Sequence, residues 1–424
     1  MKIRRKGLVR SPRRTTGSRI RGHAALAAMA LLPALLCAPA TAVAAENAGP
    51  QVDKGFELRT PNREYLDIAN EIRDQHTRVG VQTLLKDANR TAGTEGDKGC
   101  NAPEGAAHTF CFQPQVDGQG DDQNTEAWYP QGVTTVSDAV ADEQWGARKP
   151  VVTSWYSKGD QGVRLSFLDP ATKKYRHVLL MIPDRDDQND PTLRPLTSGG
   201  KSIHAGGIAW YGKNLYVADT NGGIRVFNTD YILDLEGSGD PAAGDYRYEM
   251  LQVGAYVKVQ EPEGECGTGP TRFSYIGLDR STKPDRLITG EYCGGGKDAP
   301  NGRVMTWNLD NGRIAPVSGD SERFRPQEAH TLPTGYVQGA SVHDGKWYFT
   351  HRGEGTGGYD KDAYYLSRAT EKDGELVLDA KDAVGTPDGR GPSEDLSYYN
   401  SSDHLWTLTE KPGSRAIYSL QPPS

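Results

Sequence analysis

The chain has 424 residues with 50 Gly, 26 Pro and 20 Tyr. Its first 45 residues hold nine basic side chains and no acid, leaving 40 basic against 56 acidic ones, a net charge near −16. A surface this acidic repels phosphate backbones and excludes nucleic acid as an expected partner. Turn formers and tyrosines in a weakly apolar chain predict an all-β protein rather than a helix bundle.

Residues 1–45 read as a secretory signal peptide: a basic start, the apolar run "HAALAAMALLPALLCAPATAVA" and Ala-x-Ala cleavage sites. Pro33 interrupts that run, and it is too short to span a membrane. Cys37 follows Leu36 rather than a small residue, which argues against a lipid anchor. "SPRR" at Ser11–Arg14 is a faint twin-arginine element. The expectation is a secreted, extracellular monomer without a membrane anchor.

Residues 46–106 are expected to form a small helical N-terminal extension and loop. "TPNREYLDIANEIRDQHTRVG" puts Tyr65, Ala69, Ile72, His76 and Val79 on one helical stripe, with Thr60 as N-cap and Pro61 at the first helical position. A second short helix is expected over 81–89. The Gly-rich tail that follows reads as a loop pinned by Cys100.

From residue 107 onward a pattern recurs. "GGIAWYGKNLYVADTNGGIRVF" (206–227) holds three short strands separated by tight polar turns. Units of the same form begin near 131, 274, 338 and 393. Fourth strands are expected at "KYRHVLLMI", "YRYEMLQVGAYVKV", "GRIAPV" and "GELVLD". The fifth unit ends at Ser424 without one, and "AHTFCFQP" (107–114) is the strand that completes it. Four-stranded antiparallel units at a recurring period predict a β-propeller over 107–424, five blades closed by an N-terminal strand. Such closure removes the open edge that a linear array would expose.

Beyond the leader the cysteines are Cys100, Cys111, Cys266 and Cys293. An even count in an oxidising compartment predicts disulfides. Of three pairings, Cys100–Cys111 and Cys266–Cys293 are favoured, because each pair is nearest in sequence and brackets a turn-rich segment.

In a propeller the loops entering the inner strands share one face with the turns after the second strands. Aligning the units brings Tyr129, His204, Arg272, Tyr336 and Pro392 to that face, with Gln131, Gly206, Ser274, Gln338 and Glu394 at the strand starts. The second strands end on Tyr156, Asp219, Glu291, His351 and Glu410, and Arg352 opens a long Gly-rich turn. Tyr129, Gln131, His204, Arg272, Tyr336, Gln338, His351 and Arg352 are the candidate ligand-binding residues. Asp219, Glu291, Glu394 and His204 are the catalytic candidates, since a carboxylate pair across one pocket is what glycoside cleavage needs.

No G-x-S-x-G elbow, H-E-x-x-H helix or phosphate-binding loop is present in the sequence. No cofactor is required by any motif. The acidic loops "DGQGDDQN" (117–124) and "DRDDQND" (184–190) are Ca²⁺ candidates, but neither has EF-hand spacing, and solvated loops are the plainer reading.

The unit "GGIAWYGKNLYVADTNGGIRVF" resembles the blades of secreted bacterial β-propeller proteins, and the leader resembles those of high-GC actinobacteria. The resemblance covers about 107–424 and implies fold rather than activity. One relative it points to is dispase autolysis-inducing protein, a secreted propeller that acts on proteases and is a transglutaminase substrate. Three functions follow as expectations. The first is a non-catalytic binding protein engaging a protein or glycan through its funnel face. The second is a polysaccharide-active hydrolase or lyase, and the third an envelope scaffold cross-linked through Gln residues of 113–123.

Overall fold

In the computed structural model, the described residues are 56–424 apart from 62–63, 98–99, 102–104, 117–119, 237–245, 260–265, 268, 295–300, 356 and 386–392. The expected leader, residue Pro392 and the middle of the loop after Cys293 therefore lie outside the described residues. What is described is mostly β-strand with three short helices.

Strands succeed one another as antiparallel meanders joined by tight turns. The first runs through Trp128–Thr135, Val151–Ser157, Val163–Asp169 and Lys174–Arg185. The second runs through Ile208–Tyr211, Asn214–Asp219, Gly223–Asp234 and Tyr248–Lys258. The outer strands of these two pair in parallel, Leu179–Met181 against Glu249–Leu251. The fourth meander comprises Val337–His343, Lys346–Arg352, Tyr364–Lys372 and Glu375–Gly385.

In the third meander Tyr275–Asp279, Arg286–Gly290 and Arg303–Asp310 follow the expected order. Its fourth strand is Glu328–Thr331, not 312–317. Asn311 and Gly312 both take positive φ, +47° and +77°, and close a tight hairpin that pairs only Arg313–Ile314 with Leu309–Asp310. The chain must travel a further loop before it returns to the free edge.

The last meander holds Ser397–Tyr399, His404–Leu408 and Ala416–Leu420. Its outer strand is His108–Cys111, with Ala416 opposite Cys111 and Ser419 opposite His108. The segment before the first meander thus completes the sheet at the end of the chain.

Alternating side chains bury one face of each sheet against the next. Leu165 and Val178 of the first meet Trp210, Leu215 and Phe227 of the second. Ala209 and Tyr216 of the second meet Ile276 and Trp307 of the third. Phe110, Trp406 and Ile417 of the last meet Val133 and Trp155 of the first.

The first strands touch one another through glycines. A Cβ on Gly207 would lie 2.1 Å from Ile276 N, and one on Gly277 would lie 1.9 Å from Ala340 O. On Gly339 it would lie 2.6 Å from Asp395 Cα, and on Gly132 2.9 Å from Ile208 N. Only glycine lets the backbones approach this closely. In the last meander Asp395 stands at this level, and its Oδ2 accepts the N–H groups of Val133 (3.2 Å) and Ile208 (3.0 Å).

In the N-terminal segment helix α1 is Tyr65–Arg73 with Glu64 at its N-cap, so Thr60 and Pro61 lie before it. Its buried Ile68, Ala69 and Ile72 pack on Leu179, Met181 and Leu251. His76 and Val79 fall outside the helix because Thr77–Val79 pairs with Ile232–Asp234 as an added edge strand, and sheet pairing overrides the helical period there. Helix α2 is Val81–Lys86. Both expected disulfides are formed, Cys100–Cys111 and Cys266–Cys293. They fit an oxidising compartment. No helix among the described residues is long and apolar enough to cross a membrane.

Candidate functional site

Where the first strands begin, a cavity of about 380 Å³ opens. The first meander contributes Gln131, the second His204, Gly206 and Thr220, and the third Arg272, Ser274 and Tyr292. Gln338 comes from the fourth, and Glu394 and Glu410 from the last. Strand starts supply most of these positions, because first strands crowded by glycine contacts leave only their entry residues free to face inward.

Gln131 is buried, and its Nε2 donates to the Pro130 carbonyl and to Glu410 Oε2, both at 2.8 Å. Glu394 is 2% exposed, and its Oε1 has no hydrogen-bond partner among the described residues. Burial, then the charges of Glu410 and Asp395, push the Glu394 pKa well above the usual carboxylate range, against a hydrogen bond from Gln338. Burial also raises Glu410, while Gln131 and Arg415 oppose the shift. Asp395 is raised well above its usual value by burial.

Tyr292 lines the cavity, whereas Tyr129, Tyr156 and Tyr336 are not lining residues and stand next to ones that are or to each other. Tyr129 and Tyr156 have centroids 5.8 Å apart, and Tyr156 lies 4.9 Å from His204. Burial, then Glu410, drives Tyr156 up to about 12. The His204 ring is accessible from the cavity yet enclosed by its walls, and that enclosure lowers its pKa. Tyr292 lies 6.1 Å from Tyr336, whose own N–H donates to the Cys293 carbonyl. The Cys266–Cys293 bridge therefore anchors the chain beside this wall.

Two catalytic candidates face elsewhere. Asp219 accepts from Arg225 Nε (2.9 Å) and Nη2 (2.6 Å), and from Gly222 N (3.0 Å). Glu291 takes Arg303 Nε (2.9 Å) and Nη2 (2.8 Å) and the backbone N–H of Arg272 (3.1 Å). Both carboxylates are spent inside their own hairpins, each on an arginine just past the turn glycine. They do not form a pair across the cavity.

Arginines also follow the turn in the first and last meanders, but they are drawn elsewhere. Arg164 Nη2 donates to Asp122 Oδ1 at 2.8 Å, and Arg415 Nη1 to the Asp122 carbonyl at 2.8 Å. Arg415 leaves the Glu410 carboxylate to the cavity and takes only its backbone oxygen through Nε. Asp122 also accepts from Tyr175 (2.8 Å) and pairs with Arg90 (2.7 Å). Burial, outweighed by His177, Arg164 and Arg90, leaves its pKa well below the usual range.

His177 bridges Ser166 (2.9 Å) and Asp122 (3.0 Å) in a Ser–His–Asp order. Burial, then Arg164, lowers it to about 3, so the neutral ring donates through Nε2 to Asp122 and accepts from Ser166 at Nδ1. All three side chains are almost fully buried, and Trp155 Nε1 occupies the serine oxygen. No substrate reaches this triad, and it serves as a structural clasp.

His351 is fully buried, bonded to Ser367 Oγ (2.9 Å) and the Arg352 carbonyl (3.0 Å), so it is not a cavity residue. Arg352 is exposed and donates to the Lys361 carbonyl. Burial lowers the His351 pKa to about 4, while the unfolded side chain titrates near 6.5. The unfolded state then takes a proton first as pH falls, so His351 withdraws stability from pH 6.5 down to about 4. Against a His351→Gln variant, wild type should lose roughly 3 kcal/mol over that window in urea melts; a constant gap would contradict it.

Among the described residues no group of three or more His, Cys, Asp or Glu is placed to hold a metal. In the acidic loop 184–190, Asp186 accepts from Gln188 and Asp190 N–H groups, and Asp184 pairs with Arg194.

Glu410 and Tyr292 were the cavity residues with the weakest sequence signal. Glu410 looked equivalent to Asp219 and Glu291, and only the diversion of Arg415 distinguishes it. Neither a protein family nor a curated protein matches this sequence. Among solved structures it is similar to the PQQ-bound aldose sugar dehydrogenase of Streptomyces coelicolor, at 14% identity and TM-score 0.31, over 75% of this chain and 89% of that one. It is also similar to the major Malassezia sympodialis allergen Mala s 1, at 9% identity and TM-score 0.35, over 87% of this chain and 96% of that one.

Proposed function

We propose that the meanders are the blades of a five-bladed β-propeller, and that the exported chain is a non-catalytic binding protein. It engages a protein or glycan outside the cell through the cavity at the mouth of its central channel. The blade count is supported by the glycine contacts that link each first strand to the next and by the outer strand His108–Cys111. In this reading residues 46–106 are an extension tied to the ring by Cys100, and 107–424 form the propeller.

One observation carries the binding reading: every blade sends polar side chains into a single cavity, with Tyr292 on its wall. Concave sites with a few convergent polar groups are where ligands bind. Glycan and peptide arrays probed with the full chain should yield a ligand. Its affinity should fall about tenfold in Gln338→Ala, the loss of one hydrogen bond to a charged or polar partner.

A second reading is favoured by the Glu394–Glu410 pair. Two carboxyl groups in one cavity, the more buried of them raised well above its usual pKa, are the kind of acid and base that glycoside hydrolysis uses. Release of reducing ends from a bound glycan, abolished in Glu410→Gln, would support it over simple binding. For the scaffold reading, Gln115 is exposed, whereas Gln123 is buried and the Gln113 amide oxygen accepts from Thr91 N at 2.8 Å.

A further inference from the structure

We infer that the cavity takes a protonated alkylamine, seated between Glu394 and Glu410 and beside the Tyr292 ring. This rests on the binding reading and names the chemical group the site recognises.

Glu394 lies on the cavity wall, almost fully buried, with Oε1 unpartnered among the described residues. A buried carboxylate oxygen without a donor is costly unless something supplies one. Glu410 shares the same space and is turned toward it by Gln131. Asp395 stands next in the chain, its Oδ2 already committed to two backbone N–H groups. Two carboxyl groups lining one cavity, with a third next to them in the chain, suit a cation, because its charge lets both ionise side by side.

An ammonium brings three donors. It can pair with Glu410 and, after a small rotation of the covered Glu394 side chain, with Glu394 Oε1. Tyr292 on the wall can stabilise a cation near its ring face and cover its alkyl stem. Positive groups bound the site without filling it: Lys158 Nζ sits 3.9 Å over the Tyr129 ring, and Arg415 lies 5.0 Å from that same ring. Arg272 lines the wall of the third meander. The volume of about 380 Å³ admits a lysine-sized side chain or one amino sugar.

Isothermal titration of the full chain tests this with three free amines: Nα-acetyl-lysine amide, glucosamine and cadaverine. The controls are Nα,Nε-diacetyl-lysine amide and N-acetylglucosamine, which keep the shape and lose the charge. At least one amine should bind, and its acetylated or neutral counterpart should bind at least about tenfold more weakly. Binding of lysine amide identifies a protein side chain as the source, glucosamine an amino-glycan, and cadaverine alone a free polyamine.

Glu394→Gln should weaken the amine at least about tenfold, because the amide keeps the shape of the side chain and loses the charge that the ammonium pairs with. Glu410→Gln gives a second reading should Glu394→Gln fold poorly. The inference is overturned if none of the three amines binds, if amine and control bind alike, or if both variants bind as wild type. A neutral glycan from the array that loses affinity in Gln338→Ala would overturn it while leaving the binding reading intact.

Discussion

Replacing Asp122 by Ala should destabilise the protein by about 3–5 kcal/mol, the range for removing one partner from a buried ion pair. Asp122 is 3% exposed and sits between Arg164, Arg90, His177 and Tyr175. Its removal strands the Arg164 guanidinium, which is 5% exposed and wedged between the Trp128 and Trp155 rings at 4.7 Å from each. The loop bearing Asp122 links the closing strand His108–Cys111 to the first meander, so the clasp holds the last sheet to the first. Asp122→Asn keeps the hydrogen-bond acceptor and should cost less. Urea or guanidinium melts of the two variants decide the matter. A loss below about 1 kcal/mol in Asp122→Ala would mean that closure does not depend on this cluster.

Gly207→Ala should cost about 3 kcal/mol or prevent folding, at the upper end of the range for overpacking. The added methyl would stand 2.1 Å from Ile276 N and 2.6 Å from Tyr275 Cα. Those are backbone atoms of a neighbouring first strand, fixed by their own ladder, so no side-chain rotation relieves the clash. Gly254→Ala is the control, because its nearest contact would be the Val226 side chain at 3.9 Å. That variant should stay within about 0.5 kcal/mol of wild type. Equal melts for the two would show that the first strands are not crowded as described.

The architecture was legible because its signals are local and periodic. Short apolar runs separated by Gly, Asn and Asp turns mark the strands. The unpaired end of the fifth unit called for a strand, and "AHTFCFQP" supplied it at His108–Cys111. The pairing of Cys266 with Cys293 followed from nearness in sequence. What misled was an edge decided by a turn: "GRIAPV" is apolar enough for a strand, yet the tight hairpin at Asn311–Gly312 spends it on a two-residue ladder.

Placement of Gln131, His204, Arg272, Gln338 and Glu394 on one cavity was accessible from unit alignment, since equivalent entry positions face the same way. The roles of Asp219 and Glu291 were not. Both end a second strand, but "DTNGGIR" and "APNGR" each place an arginine opposite the acid across the hairpin. That acid–turn–Gly–Arg pattern is visible in the sequence and reads as an ion pair. Glu410 carries the same pattern in "EKPGSR", and only the distant Asp122 explains why Arg415 turns away. Long-range capture of a side chain by a buried charge leaves no local trace.

The claim that all blades serve one binding cavity is tested most directly by titrating the array-derived ligand against wild type and Gln338→Ala. The account predicts affinity about tenfold weaker in Gln338→Ala with the fold retained, the melting temperature falling only by what the lost Gln338–Glu394 hydrogen bond contributes. Equal affinity for both proteins would contradict it and move the binding surface away from the channel mouth.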